Sequence, residues 1–191
     1  DYSAELLAKA HNPLTYGLGG SADYQLQNLQ LNQHGLTAIL LKGSEAFELT
    51  SRLLGKFNAY NLLAAIGVLS AQGFALTELV QAAKNIQAPV GRMQLLTGDK
   101  SVVVDFAHTP DALINALQAV KQHCDGNVWC VFGCGGDRDK GKRPMMAEAA
   151  EKYADKIVVT DDNPRNENAS DIVADILKGL SDEACAQVVH D

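Results

Sequence analysis

Residues 127–160 read "NVWCVFGCGGDRDKGKRPMMAEAAEKYADKIVVT". The stretch opens on an apolar run of β-prone residues and passes through a glycine-rich, charged loop. It continues as a segment rich in Met, Ala, Glu and Lys, and closes on a second apolar run. Short apolar runs bounded by glycine are strand signals, and the middle segment favours helix. A strand, a helix and a second strand in succession make a parallel pair, because the helix must carry the chain back to its starting edge.

The alternation extends in both directions. Upstream lie "SVVVDF" at 101–106, a strand, and "TPDALINALQAV" at 109–120, a helix. Thr109 is its cap, Pro110 sits in its first turn, and Leu113, Leu117 and Val120 share one face. Downstream lie "SDIVADILKGL" at 170–180, a helix capped by Ser170, and "CAQVVHD" at 185–191, a fourth strand cut off at the C-terminus. The pattern predicts an α/β fold, with a truncated, Rossmann-like parallel sheet covered on both faces.

Before Pro89 the pattern differs. Residues 2–10 read as the tail of a helix and 12–20 as a loop. "DYQLQNLQL", "GLTAILLKG" and "EAFELTS" are short runs suited to antiparallel strands. From Asn58 the apolar period becomes helical, with Leu62, Leu63, Ile66 and Leu69, and Gly73 supplies a stop. Thr77 can cap a second helix carrying Leu79, Val80, Ala83 and Ile86. Pro89 then marks a boundary, giving two domains, 1–88 and 89–191.

The composition, 47% hydrophobic and 20% charged over 191 residues, is that of a globular protein. A net charge of −7 disfavours nucleic-acid and acidic-membrane binding. No apolar stretch approaches a membrane span and no secretory signal is present, so a cytoplasmic location is expected. The first residue is Asp rather than Met, so the chain is expected to begin inside a longer polypeptide. Cys130 and Cys134, with His123 nearby, lack the further ligands of a zinc site and read as reduced core thiols, so no metal site is expected within this chain.

The polar clusters all follow apolar strands: "DFAHTPD", "GCGGDRDKGKRP" and "TDDNPRNE". Ligands of open parallel sheets bind beyond the carboxyl ends of the strands, so these loops are expected to share one rim. "GDRDKGK" matches the first part of a phosphate-binding G-x-x-x-x-G-K loop, but Arg143 stands where Ser or Thr must follow, which excludes that motif. What remains is a glycine-hinged loop with Arg138, Lys140, Lys142 and Arg143 near a helix start, either an anion site or a solvated turn. "VVVDFAHT" lacks the second acid of an aspartyl-phosphate phosphatase, since Ala107 holds that position. Asp105 and His108 either end the strand or touch a nucleotide or its metal. Asn58 and Asn61 lie on one helical face and can cap the helix or reach a ligand. In "DDNPR", Pro164 restricts Asn163 and holds Arg165 in place. Arg165 offers a carboxylate a planar fork and Asp162 can accept from an ammonium group, which suits an α-amino-acid head. The same residues could instead form an Asx-turn with a surface ion pair.

The stretches "GKFNAYNLLAA", "GRMQ", "VVVDFAHTPDAL", "VFGCGGDRDKGKRPMM" and "VVTDDNPRNE" closely resemble the Mur ligase family, and within it the branch adding meso-diaminopimelate, which D-N-P-R marks. The resemblance implies that 1–88 is the rear of a central ATP-binding domain and 89–191 the front of an amino-acid-binding domain. It implies that ATP, with Mg2+, phosphorylates the D-glutamate carboxylate of UDP-N-acetylmuramoyl-L-Ala-D-Glu, and that the amino group of meso-diaminopimelate attacks the acyl phosphate in peptidoglycan precursor synthesis. By motif, Arg138, Asp162, Asn163, Pro164 and Arg165 would hold diaminopimelate, and Asn58, Asn61, Arg92, Asp105 and His108 would lie near ATP. The family's Gly-Lys-Thr/Ser loop, its UDP-binding domain and its carbamylated lysine lie upstream of what this chain contains. A monomer without ligase activity of its own is therefore expected. The alternatives are a sister ligase adding lysine, which Arg165 disfavours, and a non-catalytic anion- or amino-acid-binding module. A dinucleotide oxidoreductase is excluded by the lack of G-x-G-x-x-G after any strand.

Overall fold

The computed structural model describes residues 3–190. The chain divides into two compact units, Asp1–Ala88 and Pro89–Asp191.

The first unit opens with helix α1 (Ser3–Lys9) and a two-residue strand β1 (Tyr16–Gly17). Strands β2 (Tyr24–Asn32), β3 (Gly35–Lys42) and β4 (Glu45–Ser51) follow, then helices α2 (Lys56–Ala71) and α3 (Leu76–Ala83). The sheet order is β1-β2-β3-β4, with β1 parallel to β2 and the other pairs antiparallel. Alternation decides which face is buried: Leu36, Ala38 and Leu40 of β3 join Tyr24, Leu26 and Leu49 against Leu62, Leu63 and Ile66 of α2 and Leu79 and Val80 of α3. A register shift interrupts the β2–β3 ladder between Gln27 and Gln30, where Asn28 adopts φ 53°. Gly35 is required at the hairpin: a Cβ there would lie 2.1 Å from the Ser51 carbonyl oxygen.

The sequence misplaces two features of this unit's helices. α2 begins at Lys56, two residues before Asn58, so Asn58 lies inside the helix and does not cap it. α3 begins at Leu76 after Ala75, without a side-chain cap, so Thr77 is a helical residue. Gly73 does stop α2: in left-handed backbone (φ 98°), it and Phe74 return amides to the Ser70 and Leu69 carbonyls.

The second unit contains strands β5 (Gln94–Thr97), β6 (Ser101–Val104), β7 (Trp129–Phe132), β8 (Lys156–Thr160) and β9 (Ala186–Val189). Its helices are α4 (Pro110–His123), α5 (Lys142–Tyr153) and α6 (Ala169–Leu177). Strands β7, β8 and β9 form a parallel sheet in sequential order. The apolar side chains of all three helices join Cys130, Ile157 and Val159 in one cluster. Trp129 and Val131, on the opposite face, are 59% and 64% exposed.

The expected double-sided cover is therefore corrected: the helices lie on one face. The reason is topological. Right-handed crossovers that advance across a sheet in one direction place every helix on the same side, and covering both sides needs a reversal of strand order. The second correction concerns "SVVVDF". β6 pairs antiparallel with β5 across residues 98–100 rather than joining the parallel sheet. A nearby complementary partner across a three-residue turn satisfies its backbone groups locally. Thr109 caps α4, accepting from the Ala112 amide, as its position suggests. Ser170 does not cap α6; Asn168 does, accepting from the Ser170 amide.

Candidate functional site

The loop after β7 and the loop after β8 leave the carboxyl ends of neighbouring parallel strands, so sheet geometry alone brings them side by side. Glycines let them touch. A Cβ on Gly133 would stand 2.4 Å from the Thr160 carbonyl oxygen, and one on Gly136 would stand 1.8 Å from that of Pro164. No side chain fits either position, which explains the glycine-rich composition of this loop.

Backbone and side-chain bonds stitch the pair. The Gly136 amide donates to the Asn163 carbonyl at 2.9 Å. Arg165 Nη1 donates to the Gly136 carbonyl at 2.5 Å. Asn163 Oδ1 accepts from the Arg165 amide at 3.3 Å, an Asx-turn that sets the arginine's backbone. Asp137 Oδ2 accepts from Asn166 Nδ2 at 2.7 Å, and the Asp137 amide donates to Glu167 Oε1 at 2.7 Å. Asp137 and Arg165 both adopt left-handed backbone, φ 52° and 51°, uncommon for residues other than glycine.

Of the residues singled out in the sequence for amino-acid binding, Asn163, Pro164 and Arg165 thus pack onto Gly135–Asp137. Asp162 is exposed. Arg138 is exposed too and, among the described residues, makes no ion pair or hydrogen bond. Arg165 keeps one side of its fork open, because only Nη1 is engaged. The Asx-turn, one of the two alternatives in the sequence, is present and leaves this edge of the Arg165 guanidinium open.

The four-cation cluster resolves differently. Arg143 is 1% exposed, and its Nη2 and Nη1 meet Glu167 Oε1 and Oε2 at 2.8 and 3.1 Å. Nη1 also meets Asp175 Oδ2 at 2.9 Å. Lys140 Nζ lies 2.9 Å from Glu167 Oε2, and Lys142 Nζ donates to the His108 carbonyl at 2.7 Å. Three of the four cations are therefore committed to partners inside the protein, and only Arg138 is free among the described residues. Hydrogen bonds from Arg143 and Lys140 and the Asp137 amide hold the Glu167 carboxyl down to about 2. The sequence reading missed Asp137 and Glu167. Glu167 stood in the quoted loop, but nothing local marks it as the partner of an arginine 24 positions earlier.

A second cluster surrounds Asp105. Its Oδ2 accepts from the Met93 amide at 2.8 Å and its Oδ1 from the Ala107 amide at 2.9 Å, so Asp105 ends β6 and staples the "GRMQ" turn. The Arg92 guanidinium lies 4.5 Å from the Phe106 ring centroid, a cation–π distance. The His108 ring stands at 5.2 Å and 67° to that ring, with Nδ1 3.0 Å from the Phe106 carbonyl oxygen. Phe106 is 60% exposed, a flat aromatic face that the sequence reading overlooked. In the first unit, Asn58 Nδ2 donates to the Leu54 carbonyl at 2.8 Å and Asn61 Nδ2 to Asn58 Oδ1 at 3.1 Å. Asn61 is exposed.

Among the described residues no three His, Cys, Asp or Glu side chains are grouped to hold a metal ion. Cys130 and Cys134 lie in the core, and burial pushes the Cys130 thiol up to about 11. No described helix is long and apolar enough to cross a membrane.

A mostly antiparallel sheet packed on two helices, followed in the chain by a parallel sheet whose strand-end loops carry a stitched arginine, defines a two-unit α/β protein. Residues 1–69 match the Mur ligase middle domain, and residues 91–191 match the Mur ligase, glutamate ligase domain. The chain belongs to the Mur ligase family. It is 45% identical, over 194 aligned positions, to the UDP-N-acetylmuramoyl-L-alanyl-D-glutamate--2,6-diaminopimelate ligase of Ectopseudomonas mendocina (strain ymp), covering 99% of this chain and 40% of that protein. A solved structure of a ligase of the same name is 40% identical with a TM-score of 0.76, covering 100% of this chain and 41% of the other. The UDP-N-acetylmuramate-alanine ligase of Thermotoga maritima is 25% identical with a TM-score of 0.71, covering 98% and 41%. The chain thus spans about two fifths of the length of these relatives.

Proposed function

We propose that this chain supplies part of an ATP-dependent ligase that joins meso-diaminopimelate to UDP-N-acetylmuramoyl-L-Ala-D-Glu through an acyl phosphate. In this reading residues 1–88 belong to the ATP-binding domain and 89–191 to the amino-acid-binding domain, in a cytoplasmic enzyme. The observation that carries it is the Arg165 loop, hydrogen-bonded to Gly136 in a chain 45% identical to a ligase named for diaminopimelate.

The chemistry of the loop supports the assignment. Diaminopimelate differs from lysine by a second amino-acid head, with a carboxylate that lysine lacks. The open edge of the Arg165 fork can take such a carboxylate through charge-assisted bonds. Arg138, exposed on the neighbouring loop next to Asp137 and without an internal partner among the described residues, adds a second cation, and Asp162 can accept from the ammonium group. The attacking amine is thereby oriented rather than chemically activated, a contribution of proximity.

For the nucleotide, Arg92, Phe106 and His108 offer a stacking and cationic surface, and Asn61 has an exposed amide. Asp105 acts by holding the "GRMQ" turn, since each of its oxygens already accepts a backbone amide. ATP supplies the phosphoryl group that makes the D-glutamate carboxylate reactive. Magnesium arrives in this reading with the nucleotide phosphates, which hold it with few protein carboxylates.

Calorimetric titration of the intact polypeptide that carries this chain tests the reading. Arg165→Ala should weaken diaminopimelate binding roughly 10- to 100-fold, the range for losing a charged hydrogen-bond partner. Wild-type protein binding lysine as tightly as diaminopimelate would sink the proposal.

A further inference from the structure

We propose that Arg143 and Glu167 form a buried lock that sets where the Arg165 guanidinium stands, and so serve substrate selection as positioning residues without touching the substrate. The inference rests on the diaminopimelate reading above and deepens it.

The chain of contacts is continuous. Arg143 is 1% exposed and spends both terminal nitrogens on Glu167. Glu167 Oε1 also receives the Asp137 amide, and Oε2 receives Lys140. Asp137 in turn accepts from Asn166, on the loop that carries Arg165. Its neighbour Gly136 accepts from Arg165 Nη1 and donates to the Asn163 carbonyl. Moving Glu167 therefore moves the carbonyl on which Arg165 rests.

Two further observations point to positioning rather than plain stability. Asp137 and Arg165, the residues flanking this contact, both hold left-handed backbone. Such conformations persist where surrounding contacts over-determine them. An ion pair so well shielded carries a desolvation cost that apolar residues would avoid, and a role in fixing geometry accounts for its presence. Asp175 provides an internal control. It reaches the same guanidinium from α6, with Lys178 as its other partner, and makes no bond to either loop.

The test compares isosteric variants in the intact polypeptide. Glu167→Gln should raise the KM for meso-diaminopimelate at least tenfold, leave the KM for ATP within twofold, and speed amide exchange at Gly136 and Asp137 at least tenfold. Asp175→Asn should leave both KM values and both amides within twofold. Equal effects of the two variants on the diaminopimelate KM would reduce the lock to a structural ion pair and overturn the inference. So would an unchanged KM and unchanged exchange in Glu167→Gln. Should that variant not fold, Asn166→Ala removes only the exposed link to Asp137 and should raise the diaminopimelate KM about threefold, and an unchanged value counts against the lock. If wild-type protein does not consume diaminopimelate, the functional reading falls, and the exchange rates alone decide whether the lock holds the loop.

Discussion

Gly135 and Gly136 are adjacent, and the structure assigns them different duties. A Cβ on Gly136 would meet the Pro164 carbonyl oxygen at 1.8 Å, and backbone cannot step aside cheaply. Gly136→Ala should therefore cost about 3 kcal/mol of unfolding free energy in denaturant titrations. A Cβ on Gly135 would clash only with the Arg165 Nη1 atom, at 2.8 Å, the far end of a flexible side chain, the Asn163 carbonyl oxygen standing at an ordinary 3.6 Å. Gly135→Ala should cost less than about 1 kcal/mol, while displacing the guanidinium and weakening diaminopimelate binding. A Gly135→Ala protein that loses stability without losing affinity would contradict this division. Glu167 adds a pH signature. Its carboxyl sits at about 2 in the folded state against an ordinary 4.5. A depressed folded value means that its stabilisation is fully present above 4.5 and is lost as pH falls from there through about 2. Unfolding midpoints measured across that window should fall more steeply in wild-type protein than in Glu167→Gln. The turn at Asn163, Pro164 and Arg165 was legible because proline and an Asx side chain act on their immediate neighbours. Glu167 was not, because its importance comes from residues 24 and 30 positions away.

Helix caps separate what local sequence can and cannot settle. Thr109 accepts from the Ala112 amide, so Thr109→Ala should cost about 1 kcal/mol. For α6 the sequence reading named Ser170, but Asn168, a residue of similar capping strength two positions earlier, is the cap. The helix starts at Ala169, so Asn168→Ala should cost about 1 kcal/mol and Ser170→Ala less than about 0.5 kcal/mol. Thermal unfolding of the two variants checks the assignment. The apolar periods placed the three helices and strands β6 to β9 of the second unit along the chain, since side-chain burial repeats at 2.0 or 3.6 residues whatever the partner; β5, only four residues long, they did not mark. They could not reveal that β6 pairs backward onto β5, because a strand's pattern records that it is buried or paired, not with whom. Nor could they reveal the bare sheet face. Trp129 and Val131 look like core residues in sequence, yet the sequential order of β7, β8 and β9 places the crossover helices α5 and α6 on the other side, where α4 packs beside α5.

For the chain as a whole, charge and motif content bound what it can do alone. It carries no complete G-x-x-x-x-G-K-[ST] loop, and Arg143, which takes the place of that hydroxyl, is buried in an ion pair. A ligation assay on residues 1–191 with ATP, dipeptide precursor and diaminopimelate should show no turnover, and any amide product would refute this. The residues alone determined the α/β class, the division near Pro89, the Mur ligase family and the turn at D-N-P-R. These follow from composition, periodicity and contiguous motifs, all of which act over short spans of chain. Only the tertiary structure decided that Arg143, Lys140 and Lys142 are spent internally, that Glu167 is the hub of two loops, and that the parallel sheet is covered on one face. Each of these depends on segments distant in sequence meeting at close range. Hydrogen bonds and packing contacts act only over a few ångströms, so such facts exist only once the fold has brought the segments together.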